Sequence, residues 1–151
     1  MKHLENRLHF HAPIERVFDL ATDPGRWPEY MPWVSDVRDV QGLGDVVGDR
    51  ATFTDHAGPG VVVDGTAVVT EAQRPVVQTT ETTYEDHSRM VMRMEFIPTE
   101  GGTDLVSSVD YEIGRGGIVA AARELVTGPF IERRLREMGD NFRKLVESVP
   151  A

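Results

Sequence analysis

The sequence predicts an α+β fold: a curved antiparallel sheet of about seven strands wrapped around a long C-terminal helix, with two short helices after the first strand. Three observations carry the prediction. Residues 3–11 alternate between apolar and polar side chains, and residues 33–113 continue as short alternating runs cut by Gly, Pro and Asp turns. After Gly116-Gly117 the apolar period changes from two to about 3.6.

The first strand places Leu4, Leu8 and Phe10 on one parity and His3, Glu5, Arg7, His9 and His11 on the other. Pro13 then opens a helix, because its fixed φ and missing N–H suit a first turn, and Ile14, Val17, Phe18 and Ala21 form the apolar stripe. Asp23-Pro24 signals a second brief helical turn toward Trp27, and Pro28 and Pro32 keep either helix short. Turn residues at 42–45, 58–60, 73–75, 86–87 and 100–102 divide the next stretch into five or six hairpin-linked strands. Met90, Met92, Met94 and Phe96 alternate with polar residues, as do Leu105, Val109, Tyr111 and Ile113, so each strand has one core face and one wet face. In the last segment Ile131, Leu135, Met138, Phe142, Leu145 and Val149 share a helix face. Gly128-Pro129 inside that pattern predicts a kink or a break into two pieces.

A chain of 151 residues, 40% hydrophobic, is the size of one domain over residues 1–151 with its own core. Its formal charge of −9 repels phosphate backbones, which argues against a nucleic-acid partner. The absence of cysteine excludes disulfides, a thiolate nucleophile and Cys-type zinc sites. No stretch approaches a membrane span and the start lacks the apolar core of a signal peptide, so a cytoplasmic protein, monomer or homodimer, is the expectation. A bent sheet closed by one helix encloses volume that the helix alone does not fill, which is where a ligand cavity is expected.

The run Ala12-Pro13-Ile14-Glu15-Arg16-Val17-Phe18-Asp19-Leu20, followed by Trp27-Pro28-Glu29-Tyr30-Met31-Pro32-Trp33-Val34, resembles the opening of the START-like (SRPBCC) superfamily. The nearest branches are the polyketide cyclase/dehydrase and coenzyme-Q-binding proteins. Pro98-Thr99-Glu100-Gly101-Gly102-Thr103 resembles the penultimate hairpin of that superfamily, and the closing amphipathic helix its gripping helix. The resemblance implies a helix-grip fold with a deep apolar cavity. It does not imply one activity, because the fold hosts lipid carriers, quinone binders, aromatase/cyclases and hydrolases.

Antiparallel pairing converts parity into an inward list. If the Pro98–Thr103 loop lets Phe96 face Leu105, then Met94 meets Ser107, Met92 meets Val109 and Met90 meets Tyr111, all inward. A tight turn at Asp86-His87 would add Thr79, Thr83 and Glu81 to the cavity, with Glu81 and Tyr111 as candidate acid/base groups. A register shifted by one instead turns Glu81 to solvent and brings Gln78, Thr80, Thr82 and Tyr84 in; the weak alternation there leaves both readings open. The methionines suit a pocket that adapts to varied apolar ligands, though ordinary core packing uses them as well. Tyr30, Trp33, Phe53, Leu125, Phe130 and Met138 complete the candidate ligand-binding set. Tyr30 and Trp33, which in this family border the cavity entrance, read either as flanking it or as a lid over the core.

His9 and His11, with His3 on the same face, have no acidic or histidine partner at ligand spacing in the sequence, so a solvated face is expected and no metal. No nucleophile elbow or phosphate loop is present, and no cofactor is expected. Asp55-His56 are strand neighbours and point to opposite faces, and Arg133-Arg134-Leu135-Arg136 reads as the wet side of the helix. The expected function is binding, transport or sequestration of a hydrophobic small molecule such as a lipid, isoprenoid quinone or polyketide. The alternative is a polyketide aromatase/cyclase or dehydratase, a lyase-like enzyme, in the same cavity. Family cyclases are expected to carry arginines and a tyrosine in the cavity, where this chain has Glu81, Thr70 or Glu71, and Val34, which weakens that alternative.

Overall fold

The structure, a computed structural model, describes residues 2–58, 61–112 and 117–148, with side chains described for all of these except 2, 57, 58, 61, 117–128 and 130. In chain order the elements are β1 (Lys2–Phe10), α1 (Ile14–Thr22), α2 (Trp27–Tyr30), β2 (Val34–Gln41), β3 (Arg50–Gly58), β4 (Val61–Gln73), β5 (Val77–Tyr84), β6 (Arg89–Thr99), β7 (Gly102–Glu112) and α3 (Gly117–Glu147). A short 3-10 turn, Pro24–Arg26, leads into α2, and Asp23 caps it by accepting a bond from the Gly25 N–H at 3.0 Å.

Among the described residues seven strands form one antiparallel sheet in the order β1-β7-β6-β5-β4-β3-β2, and of these pairings only β1–β7 joins strands distant in sequence. Bulges interrupt β4–β5 between Val69 and Glu71 and β2–β3 on either side of Arg38, where Asp36 and Asp39 take positive φ values of 50° and 52°. Helix α3 continues unbroken through Pro129 rather than dividing into two pieces. It comes close to β1 at Gly139, where an added Cβ would lie 2.8 Å from Leu8 Cδ1.

Three apolar clusters hold helices and sheet together. Phe10, Phe18, Phe96, Phe142 and Val146 join α1, β1, β6 and α3; Val34, Phe53 and Ala67 gather Trp27 and Trp33; Val109, Tyr111 and Ile131 join β7 to α3. Edge-to-face ring pairs fix the first cluster, with Phe18 against Phe96 at 5.1 Å and Phe10 against Phe142 at 5.2 Å. The outer face of the sheet carries cross-strand charge pairs: Arg7 and His9 on Asp104, His3 on Asp110, Arg93 on Glu71 and Glu95, Arg89 on Glu81.

Candidate functional site

A cavity of about 150 Å³ lies between the concave face of the sheet and α3, bordered by members of all three clusters. Its walls follow from strand parity. Cross-strand rows run Asn6–Ser107–Met94–Gln78 and Leu4–Val109–Met92–Thr80, while Met90 lies between Tyr111 and Thr82. The β6–β7 register is the one with Phe96 opposite Leu105. Residues Met90, Met92, Met94, Ser107 and Val109 line the cavity from β6 and β7, Phe53 from β3, Tyr30 and Trp33 from α2 and the segment after it, and Met138 from α3.

The Tyr30 hydroxyl donates to the Ala21 carbonyl at 2.8 Å and its ring packs on Phe142, so this residue is a wall whose polar end is already satisfied. Phe96 is fully buried against Phe18 and does not border the cavity. Tyr111 packs with Val109 and Ile131 and likewise stays outside the lining. Leu125 and Phe130 lie outside the described side chains.

Glu81 and Thr79 correct the inward list. The β5–β6 hairpin is closed by a three-residue loop, Glu85-Asp86-His87, rather than a tight turn at Asp86-His87: the Tyr84 N–H donates to Ser88 O at 2.9 Å and the His87 N–H to Tyr84 O at 3.0 Å. His87 takes the left-handed conformation such a loop requires, φ 68°. The extra loop residue sets Glu81 opposite Val91 and Thr80 opposite Met92, which reverses the faces of β5. Glu81 then bonds Arg89 at 2.7 Å on the outer face, and that guanidinium holds its carboxyl below the usual range. The Thr79 hydroxyl donates to Glu71 at 2.8 Å on the same outer side, and Thr83 is exposed. Neither Glu81 nor Thr79 borders the cavity; Gln78, Thr80, Thr82 and Tyr84 do.

Gly65 makes room for one of these. It lies opposite both Phe53 and Tyr84, and a Cβ there would be 2.9 Å from Phe53 Cζ and 3.0 Å from two Tyr84 ring carbons. The two rings meet edge to face over it at 6.0 Å. The Tyr84 phenol is pushed well above its ordinary value, first by burial and then by the charge of Asp55.

Asp55 and Arg134 are the residues the sequence reading missed. Arg134 is not on the wet side of α3: it borders the cavity and donates to Asp55 Oδ2 at 3.0 Å and to the His56 carbonyl at 2.9 Å. Its guanidinium also lies over the Trp33 ring at 4.8 Å. A signal for both was present in the sequence. Asp55 continues the inward parity of Ala51 and Phe53, and Arg134 falls between Ile131 and Met138 on the apolar stripe. His56 does face the other way, bonding Ser35 at 2.8 Å. Among the described residues no cluster of His, Asp and Glu could hold a metal ion, and the acidic partners of His3 and His9 come from β7 across the sheet.

Residues 1–147 match the protein family described as "Polyketide cyclase / dehydrase and lipid transport". The chain belongs to that family. Solved structures similar to this polyketide cyclase/dehydrase family member share its helix-grip fold at low sequence identity. A protein of Thermus thermophilus is 16% identical with a TM-score of 0.82, over 99% of this chain and 100% of that one. A conserved protein of Geobacillus kaustophilus is 14% identical with a TM-score of 0.81, over 97% and 96% of the two chains. Ara h 8.0201 is 11% identical with a TM-score of 0.74, over 98% and 99%. A search of curated proteins returned no match. Among the described residues no helix is long and apolar enough to cross a membrane.

Proposed function

We propose that this family member binds, and carries or sequesters, a hydrophobic small molecule such as a lipid, isoprenoid quinone or polyketide between its sheet and α3. The observation that carries the reading is the composition of the cavity wall. The methionines of β6, the rings of Tyr30, Trp33 and Phe53 and aliphatic side chains form most sides, with polar groups concentrated on β5 and at the Asp55–Arg134 end. The hydroxyls of Thr80, Thr82, Ser107 and Tyr84 make no hydrogen bond among the described residues, so they are available to orient a guest. The family description, which includes lipid transport, supports the same reading. Native mass spectrometry and solvent extraction of the purified protein test it: a co-purifying apolar compound is expected, and a protein that neither retains nor takes up any apolar compound would refute it. A cytoplasmic location belongs to the same proposal and is checked by cell fractionation.

A polyketide aromatase/cyclase or dehydratase is the second reading, favoured by the presence of two titratable groups, Asp55 and Tyr84, in the wall. It no longer runs through Glu81, which is engaged outside by Arg89. Full turnover of a polyketide substrate by the Asp55→Asn/Tyr84→Phe variant would eliminate these groups as acid and base.

A further inference from the structure

The volume and the boundaries of the cavity restrict what it can hold. At about 150 Å³ it falls well below the roughly 300–1,000 Å³ of pockets that enclose drug-sized ligands, and matches an apolar chamber that accommodates one benzene ring. Helix α3 fixes its length. The sheet curls so far that strands near its two margins meet the same stretch of helix. Asp55 of β3 accepts a bond from Arg134 at 3.0 Å, and Leu8 of β1 packs on the helix at Gly139, where an added Cβ would come within 2.8 Å of it. All four of these residues border the cavity. Arg134 and Gly139 are five residues apart, which is about 7.5 Å along a helix. Lengthening the cavity past either attachment would break a buried ion pair or a close helix–strand contact.

The aromatic part of the wall is held as well. Trp27, Phe53 and Tyr84 form an edge-to-face series with ring centroids 5.7 Å and 6.0 Å apart, and Tyr30 meets Phe142 at 5.0 Å. The adjustable part is the methionines Met90, Met92, Met94 and Met138. Their unbranched side chains can shift enough to admit a second fused ring, and thioether sulfur makes favourable contacts with ring edges. A flat aromatic guest therefore finds rings and sulfur around it, whereas an extended chain needs more length than the two helix attachments leave. We propose that the cavity is selective for compact aromatic compounds of one or two fused rings, against larger fused-ring systems and against aliphatic or isoprenoid chains. This inference rests on the ligand-cavity reading above and narrows it to guests that carry such rings.

Equilibrium dialysis of the whole chain against naphthalene, pyrene and farnesol tests it, with affinity ratios as the readout. Apolar surface alone would make pyrene and farnesol the tighter ligands, since both bury more of it than naphthalene. A confined cavity reverses that order. The wild type is expected to bind naphthalene about tenfold or more tighter than either, because a single methylene in an apolar pocket already changes affinity by about that factor. Met92→Ala enlarges the cavity from the sheet side and Met138→Ala from the helix side, and each is expected to raise the pyrene-to-naphthalene affinity ratio about tenfold. The wild-type ranking decides the matter if neither variant folds. Pyrene or farnesol bound as tightly as naphthalene by the wild type, or an unchanged ratio in both variants, overturns the inference and leaves the cavity reading in place. Failure of all three probes to bind removes the cavity reading and this inference with it.

Discussion

Arg134→Met is the perturbation that most directly tests how the Asp55–Arg134 end of the cavity is held. The wild-type guanidinium makes one hydrogen bond to Asp55 and one to the His56 carbonyl, and its carbon centre lies 4.8 Å from the Trp33 ring centroid. Both partners are largely withdrawn from water, Arg134 at 14% and Asp55 at 9% side-chain exposure, so the small values typical of surface ion pairs do not apply. Methionine replaces the aliphatic stem but leaves the carboxylate without a counter-ion in a low-dielectric site. Breaking a buried pair from one side costs about 3–5 kcal/mol, which in a domain of this size lowers Tm by about 10 °C. Replacing both partners, as in Asp55→Leu/Arg134→Met, removes the orphaned charge and is expected to return stability to within about 2 kcal/mol of wild type. Urea denaturation followed by far-UV circular dichroism measures all three proteins. A cost below about 1 kcal/mol for the single variant, or a double variant no more stable than the single, would refute the buried-pair argument.

Four further outcomes follow from the geometry. Glu81→Gln removes only a half-exposed outer pair with Arg89, so it costs less than about 1 kcal/mol and leaves binding of apolar probes unchanged by titration. Gly65→Ala forces Phe53 and Tyr84 apart in the cavity wall; denaturant unfolding is expected to show a loss of about 1–3 kcal/mol, and titration a weakened naphthalene affinity. The carboxyls of Asp104, Glu71 and Asp64 are held below their ordinary range, by His9 and Arg7, by Thr79 and Arg93, and by Thr54 and Arg38 respectively. Their contribution is therefore full above the ordinary carboxylate pKa and is lost as pH falls through the lowered values. His3 has the opposite sign: Asp110 and Glu5 raise its pKa, so its contribution is full below the ordinary histidine value and is lost as pH rises through the raised one. Urea midpoints measured across the acid range are expected to fall less steeply in Asp104→Asn, and across the neutral range to flatten in His3→Ala.

Most of the fold was legible because side-chain periodicity reports it directly. Met90, Met92, Met94 and Phe96 share a parity that no turn chemistry disturbs, and the Pro98–Thr103 loop gave the observed pairing with β7. What periodicity does not report is the number of residues in a hairpin loop. His87 in a left-handed conformation adds one residue to the β5–β6 loop, and that single residue exchanged Glu81 and Thr79 for Thr80 and Thr82 in the cavity wall. The Asp55–Arg134 pair was hidden for a different reason. A charged side chain on an apolar stripe conflicts with the pattern used to read it, and the conflict resolves only when the partner, 79 residues away in sequence, is brought opposite. The same holds for His9 and Asp104, which meet only through the β1–β7 pairing. Helix α3, with Pro129 inside it, shows that one interior proline need not divide a helix into separate pieces.

The irregular course of β2 bears on how molecules of this protein behave toward one another. An open strand at the margin of a seven-stranded sheet is a template onto which another chain can add by backbone pairing, the first step toward fibrous aggregates. β2 is poorly suited to that role. Its ladder slips twice around Arg38, Asp36 and Asp39 turn the backbone out of the extended conformation, and both are exposed acids. An incoming strand would find neither an even row of donors and acceptors nor a neutral surface. The irregularity of β2 thus protects this margin of the sheet from self-association, and a β2 straightened and neutralised by Asp36→Thr/Asp39→Thr would lose that protection.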